Sequence, residues 1–163
     1  MSDAPGDVLV SGGGVTVRYA TAADVPAVVA QAGRYVASVF SGVISQSAFA
    51  LEPFATAQAA GGNLDSRLLV ATIADVVVGV LSVAALTHPA TRVRLASDLF
   101  WWLESPLTIR AKVGFRLLEA FEDWATLRAA PLVIATTDDA RAEALLMAAG
   151  FTDARLWFRR TGG

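Results

Sequence analysis

The apolar pattern of this chain predicts a mixed α/β (α+β) fold, with a mostly antiparallel central sheet flanked by helices on both faces. Three observations carry that expectation. Alternating or β-branched runs at Val15–Tyr19, Arg67–Ile73, Val76–Leu86 and Arg92–Leu103 read as strands. Two of these are joined by Ala74-Asp75 alone, a link that fits a tight antiparallel hairpin. Beyond Leu103 the period changes to that of a helix, and strands then alternate with helices, as in parallel crossovers.

The 163 residues form one domain, residues 15–163, behind an N-terminal arm, residues 1–14. The arm holds four glycines, three of them consecutive, so it has little side-chain area to offset the cost of ordering. A flexible tail is therefore expected there. Hydrophobic residues make up 55% of the chain and charged ones 17%, yet no apolar run approaches the ~18 residues of a membrane span. The longest, Val76–Leu86, carries Gly79 and Ser82 and reads as a buried strand.

A net charge of −2 and the lack of a long basic run argue against a general nucleic-acid binder. The absence of cysteine excludes thiol chemistry and cysteine metal sites. His88 stands alone in a Thr-His-Pro turn, and Asp138, Asp139 and Asp153 lack a metal-binding spacing, so no metal is expected. The first residues lack a signal peptide's basic and apolar segments, which makes the cytoplasm the default expectation.

Each element has a local cause. Thr21-Ala-Ala-Asp24 after the first strand matches a capping box, with Pro26 tolerated in the first turn. Val25, Val28, Val29, Ala32, Val36 and Val39 then share one helical face, until Ser41-Gly42 breaks it. A second, irregular helix is expected from about Ser45 to Ala60, and 61–65 is a loop. Thr87–Thr91 is a turn before the long strand that ends at Leu103. A helix over 111–129 buries Val113, Leu117, Ala120, Phe121, Trp124 and Leu127 or Arg128, with Glu119, Glu122 and Asp123 outward. Pro131–Thr136 reads as a strand and Asp138–Ala149 as a helix that ends at Gly150 as an αL cap. Phe151–Arg160 closes as a strand, whose Trp157 and Phe158 could pair across a homodimer.

The stretch from Asp98 to Glu119 concentrates the chemistry. A strand, a polar loop with Pro106, Arg110, Lys112 and Gly114, and a helix start make an anion site, because the first helix amides have no internal partners. A phosphorylated cofactor is its expected occupant. By strict alternation Asp98, Phe100, Trp102 and Glu104 share one face, and Leu99, Trp101 and Leu103 the other. Asp98, an acid within an apolar strand, needs a partner such as Arg92 or Arg94, unless it serves as a base. Glu104 reads as a solvated rim residue. One of the paired tryptophans should be core, and the other could line a cleft. Thr136-Thr-Asp-Asp139 reads as a helix cap.

Taken together, the β-α-α-β-β-β-α-β-α-β order resembles the GNAT superfamily of N-acyltransferases over residues 15–160. Val17-Arg-Tyr-Ala-Thr-Ala-Ala-Asp24 is similar to that family's opening, and Ala142-Glu-Ala-Leu-Leu-Met-Ala-Ala-Gly-Phe151 to its closing helix. Trp101-Trp-Leu-Glu-Ser-Pro106 with Gly114–Ala125 resembles a branch often encoded by phages. The resemblance implies acetyl transfer from acetyl-CoA to an amine of an acceptor, small molecule or protein, that it does not identify. Amides near Lys112, Val113 and Gly114 would hold the pyrophosphate, with Arg110 and Lys112 as charge partners and Leu103 and Phe115 beside them. A β-bulge in the central strand would expose backbone to the thioester. Asp98 would be the base, and Trp102 and Glu104 would contact the acceptor.

Two departures stand against this. Of the family's acetyl-CoA signature only Gly114 matches, with Ile109 and Lys112 where Arg/Gln and glycine are usual. The usual general-acid tyrosine is Leu146. A second reading follows from them: a GNAT-fold binding or structural module without catalysis, engaging a protein partner as a phage or virion component, with Val8-Leu9-Val10 as an anchor.

Overall fold

The computed structural model describes residues 4–39, 48–61, 63–104, 107–137 and 140–153. Six strands, β1 (Val8–Gly12), β2 (Val15–Tyr19), β3 (Ser66–Ile73), β4 (Val76–Thr87), β5 (Arg94–Leu103) and β6 (Leu132–Ile134), form one sheet in sequential order. Every neighbouring pair is antiparallel except β5 and β6, which run parallel. The helices are α1 (Val25–Val39), α2 (Ala48–Ala59), α3 (Leu107–Leu127) and α4 (Ala140–Ala148). This is the mixed, mostly antiparallel architecture expected. The expected final strand lies largely outside the described residues, as do Ser41-Gly42, Ser45, Ser105-Pro106 and Asp138-Asp139.

The sheet separates two apolar cores, so helices cover both faces. Val113, Leu117, Leu118, Phe121 and Trp124 of α3, with Leu145 and Leu146 of α4, pack against Tyr19, Leu69, Leu81 and Trp101 on one face. Val25, Val28 and Ala32 of α1, with Ala55 and Ala59 of α2, pack against Leu68, Val70, Val80 and Phe100 on the other. The α3 stripe follows the expected periodicity up to Trp124, while Leu127 is exposed and Arg128 lies over the Trp124 ring.

The capping box forms as the sequence predicts. The Thr21 amide and hydroxyl both donate to Asp24 Oδ2, at 2.7 and 2.8 Å. Arg18 grips the same carboxylate through Nη1 and Nη2, at 2.7 and 2.9 Å. Burial alone would raise the Asp24 pKa, but the Arg18 guanidinium and the Thr21 donors outweigh it and hold the carboxyl below its usual range. Gly150, at φ 90°, caps α4: Phe151 N–H donates to the Leu146 carbonyl and Gly150 N–H to that of Met147.

The N-terminal segment departs from expectation. Residues 8–12 do not lie as an arm but form β1, paired with β2 through a turn at Gly13 and Gly14, whose φ values are 61° and 81°. A two-residue turn with both φ positive suits the twist of a hairpin, and glycine adopts it without steric cost. The glycines that suggested a loose tail are the turn chemistry of an edge hairpin.

Candidate active site

Three pieces of chain converge at the end of β5. β5 and β6 pair at Leu95–Leu132, Ala96–Val133 and Ser97–Ile134; β6 then ends while β5 runs on to Leu103. Beyond Ser97 the two strands are bridged by side chains. The Thr136 amide donates to Asp98 Oδ1 at 3.0 Å and its hydroxyl to Oδ2 at 2.9 Å. The Trp101 indole N–H donates to the Thr136 carbonyl at 2.9 Å. One threonine is thus held at three atoms by two residues of β5.

Between those two residues lies a bulge. Ser82 pairs with Phe100 and Val83 with Asp98, so Leu99 is the extra residue of β5. The bulge expected from the resemblance is present, and it overturns the strict alternation read from the sequence. Asp98, Trp101 and Leu103 take the α3 face, whereas Phe100, Trp102 and Glu104 take the α1 face. Asp98, only 6% exposed, pairs with neither Arg92 nor Arg94; Arg94 binds Asp65, and Arg92 sits in the preceding turn at φ 60°. Burial pushes the Asp98 carboxyl up to about 6, although its bonds from Thr136 act in the opposite direction.

The residues expected to hold a cofactor divide into two groups. α3 begins at Leu107, not 111, and Ile109, one turn before Val113, already falls on its apolar stripe; Arg110, Lys112 and Gly114 therefore lie on the helix and not in a loop. The amides of Val113 and Gly114 lie within the helix ladder, and the unpartnered ones are those of its first turn, Leu107–Arg110. Val113 is fully buried, and a Cβ on Gly114 would run into Leu145 and Leu103, so these residues with Leu103 pack α3 against β5 and α4. Lys112 donates to the Gly13 carbonyl of the β1–β2 turn. Arg110, half-buried, and Phe115, 40% exposed, remain near the surface of α3.

The charge of α3 opposes its dipole. Arg110, Lys112 and Arg116 fall in its first half and Glu119, Glu122 and Asp123 in its second, with no acid in the first turn and no base in the last. Cations at the positive end of a helix cost a few tenths of a kcal/mol each, and an anion bound there would offset them. The first-turn amides and Arg110 therefore suit a phosphate group, and no carboxylate of α3 before Glu119 opposes it.

On the α1 face, Arg34 forms an ion pair with Glu104 Oε2, and the Trp102 indole donates to the same oxygen at 3.2 Å. Beneath them Phe100 stacks near Tyr35 and Phe54, with centroids at 5.8 and 6.3 Å. Sequence reasoning found Trp102 and Glu104 but missed Arg34, whose partner lies 70 positions away. It also assigned Thr136 to a cap without linking it to Asp98. Leu146, at the position of the usual general acid, is a core residue only 7% exposed.

No protein-family model matches the chain, and no curated protein matches it in sequence. Solved structures do match in fold. An aminoglycoside 6'-N-acetyltransferase from Acinetobacter haemolyticus superposes with a TM-score of 0.67 at 14% identity, over 90% of this chain and 99% of that one. A transcriptional regulator from Bacillus halodurans gives 0.70 at 20% identity, over 91% and 99%. A GNAT family acetyltransferase from Staphylococcus aureus gives 0.64 at 11% identity, again over 91% and 99%. The chain is built on the fold of the GNAT-family acetyltransferases.

Proposed function

We propose that this protein is an N-acetyltransferase that moves the acetyl group of acetyl-CoA to a primary amine. The observation that carries the reading is the bulge at Leu99, set where β5 parts from β6, in the strand that comes directly before α3 in the order of elements. The Leu107–Arg110 amides and the Arg110 guanidinium hold the phosphates. Asp98 and Trp101, through Thr136, fix the separation of the two strands, so Asp98 acts as a positioning residue.

Glu104 and Trp102 face the acceptor. The acceptor ammonium gives one proton to the Glu104 carboxylate, and the freed nitrogen pair forms a bond to the acetyl carbonyl carbon. The carbon–sulfur bond breaks with its electrons on sulfur. The nitrogen's second proton leaves to water, and the thiolate takes a proton from solvent, since Leu146 offers none. The net products are the amide, CoA thiol and one proton.

Acetyl-CoA titration by calorimetry, with desulfo-CoA as a control, tests the reading. Micromolar binding is expected. Arg110→Glu should weaken it at least about tenfold while sparing the fold, because an acid in the first turn complements the dipole yet repels phosphate. No heat at millimolar acetyl-CoA from a folded sample would overturn the reading. Binding without transfer to any amine would favour the module without catalysis.

A further inference from the structure

We propose that the mouth formed by Arg34, Trp102 and Glu104 selects an acceptor that carries a carboxylate a few bonds from its amine, an amino-acid-like zwitterion. This rests on the acetyltransferase reading above and names the acceptor class for the same site. The geometry that points to it is an ion pair that leaves one edge of each partner unused. Arg34 uses Nη1 on Glu104 Oε2, and Trp102 Nε1 uses that same oxygen. Among the described residues, Glu104 Oε1 and Arg34 Nη2 and Nε make no hydrogen bond, and the two side chains are 41% and 52% exposed. A carboxylate accepts at both oxygens and a guanidinium donates in a planar fork, so each has a free edge.

Those free edges are of opposite sign and adjacent. An ammonium fits the open oxygen of Glu104, and a carboxylate fits the open fork of Arg34. A ligand bearing both satisfies the two edges at once and leaves the existing pair in place. A polyamine meets Glu104 with one ammonium but brings its second cation against Arg34. A simple monocation leaves the Arg34 fork empty.

The support beneath the pair is firm. Gln31, one turn before Arg34 on α1, is buried and donates through Nε2 to the Val77 carbonyl at 3.2 Å, which ties this turn of α1 to β4. Tyr35, the next residue, lies against Phe100, two positions before Trp102 on β5. Trp102 and Glu104 both take the α1 face where β5 ends, so the amine would be held at that end of the strand. An exposed ion pair contributes little to stability, so the pair is not needed to hold this corner of the fold.

The test compares three acceptors of one skeleton, an α-amino acid, its carboxamide and the corresponding diamine, by steady-state transfer from acetyl-CoA, with acetyl-CoA affinity measured separately by calorimetry. The amino acid should have kcat/KM at least about tenfold above the carboxamide and the diamine, the worth of one charge-assisted hydrogen bond. Arg34→Ala should raise KM for the amino acid and collapse that preference, and Arg34→Glu should turn it toward the diamine. Equal or better use of the carboxamide or diamine by the unaltered protein, or an Arg34→Ala variant that keeps the preference, overturns the inference and leaves the acetyltransferase reading standing. Acetyl-CoA binding without transfer to any of the three also overturns it. Absence of acetyl-CoA binding overturns the reading, and the inference with it.

Discussion

Asp98 and Thr136 lie 38 residues apart in sequence, yet the Asp98 carboxylate receives both the amide and the hydroxyl of Thr136 where β5 and β6 stop pairing. The carboxylate does there what a backbone carbonyl would do in a continued ladder. It keeps the tip of β6 attached to a strand whose bulge has carried it away from regular register.

This acid is held at a cost that depends on pH. Its folded pKa of about 6 lies above the 3.8 of the unfolded chain, so the folded state binds the proton more tightly. Stability therefore falls as pH rises from about 4 to 6 and is level above that, by an amount on the order of 3 kcal/mol at most. Asp98→Asn keeps an oxygen for the Thr136 amide and removes the charge. Chemical denaturation across this range should show the variant gaining on the parent between pH 4 and 6; parallel curves would contradict the assignment.

Asp24 should behave with the opposite sign. Its folded pKa is lowered, so its contribution is present above the unfolded value of 3.8 and is lost as pH falls below it. Asp24→Asn leaves Arg18 without its forked partner and should cost about 3 kcal/mol at pH 7. That gap should close below about pH 4, where the parent's own carboxylate is being protonated. Urea midpoints at pH 3 and pH 7 decide the matter.

Gly79 is where α3 comes down onto the sheet. A Cβ there would stand 3.0 Å from Val113, 3.1 Å from Leu117 and 3.2 Å from Leu103, so three neighbours must yield together. Gly79→Ala should cost about 1–3 kcal/mol, the range of overpacked cores. A variant with an unchanged melting temperature would show that α3 can shift freely on β4.

The reversed charge of α3 predicts a stabilising change. Partial burial, with Asp123 and Glu119 adding repulsion, pushes the Glu122 carboxyl above its usual range. A lysine at this position would face Glu119 one turn back and the negative end of the helix. Glu122→Lys should add about 0.5–1 kcal/mol at pH 7, and raise Tm by about 2 °C. Thermal unfolding at low salt measures it, and the gain should shrink in about 1 M salt.

Much of the fold was legible in order. Alternation in Val15–Tyr19, the Ala74-Asp75 link, the Thr21–Asp24 box and the α3 stripe each depend on residues within one or two turns of chain. In the structure Ala74 and Asp75 both take positive φ, at 47° and 64°, as the shortness of the link demands. The Gly-rich start was misread because a Gly-Gly turn between two runs of five residues has the composition of a tail. What orders it is pairing with β2 and the contact of Lys112 with Gly13.

By itself, then, the sequence determined the order of elements from β2 to α4, the two buried faces and the helix ends at Thr21 and Gly150, because these follow from periodicity and capping between near neighbours. The tertiary structure alone decided the site. In Leu99-Phe-Trp-Trp-Leu103 every residue is apolar, so a period of two offers no contrast to fix the register, and pairing with Ser82 and Val83 settled it by setting Leu99 out as a bulge. That one residue sends Asp98 to Thr136 and leaves Trp102 and Glu104 to Arg34. Partners so distant in sequence meet only once the sheet and its helices have packed.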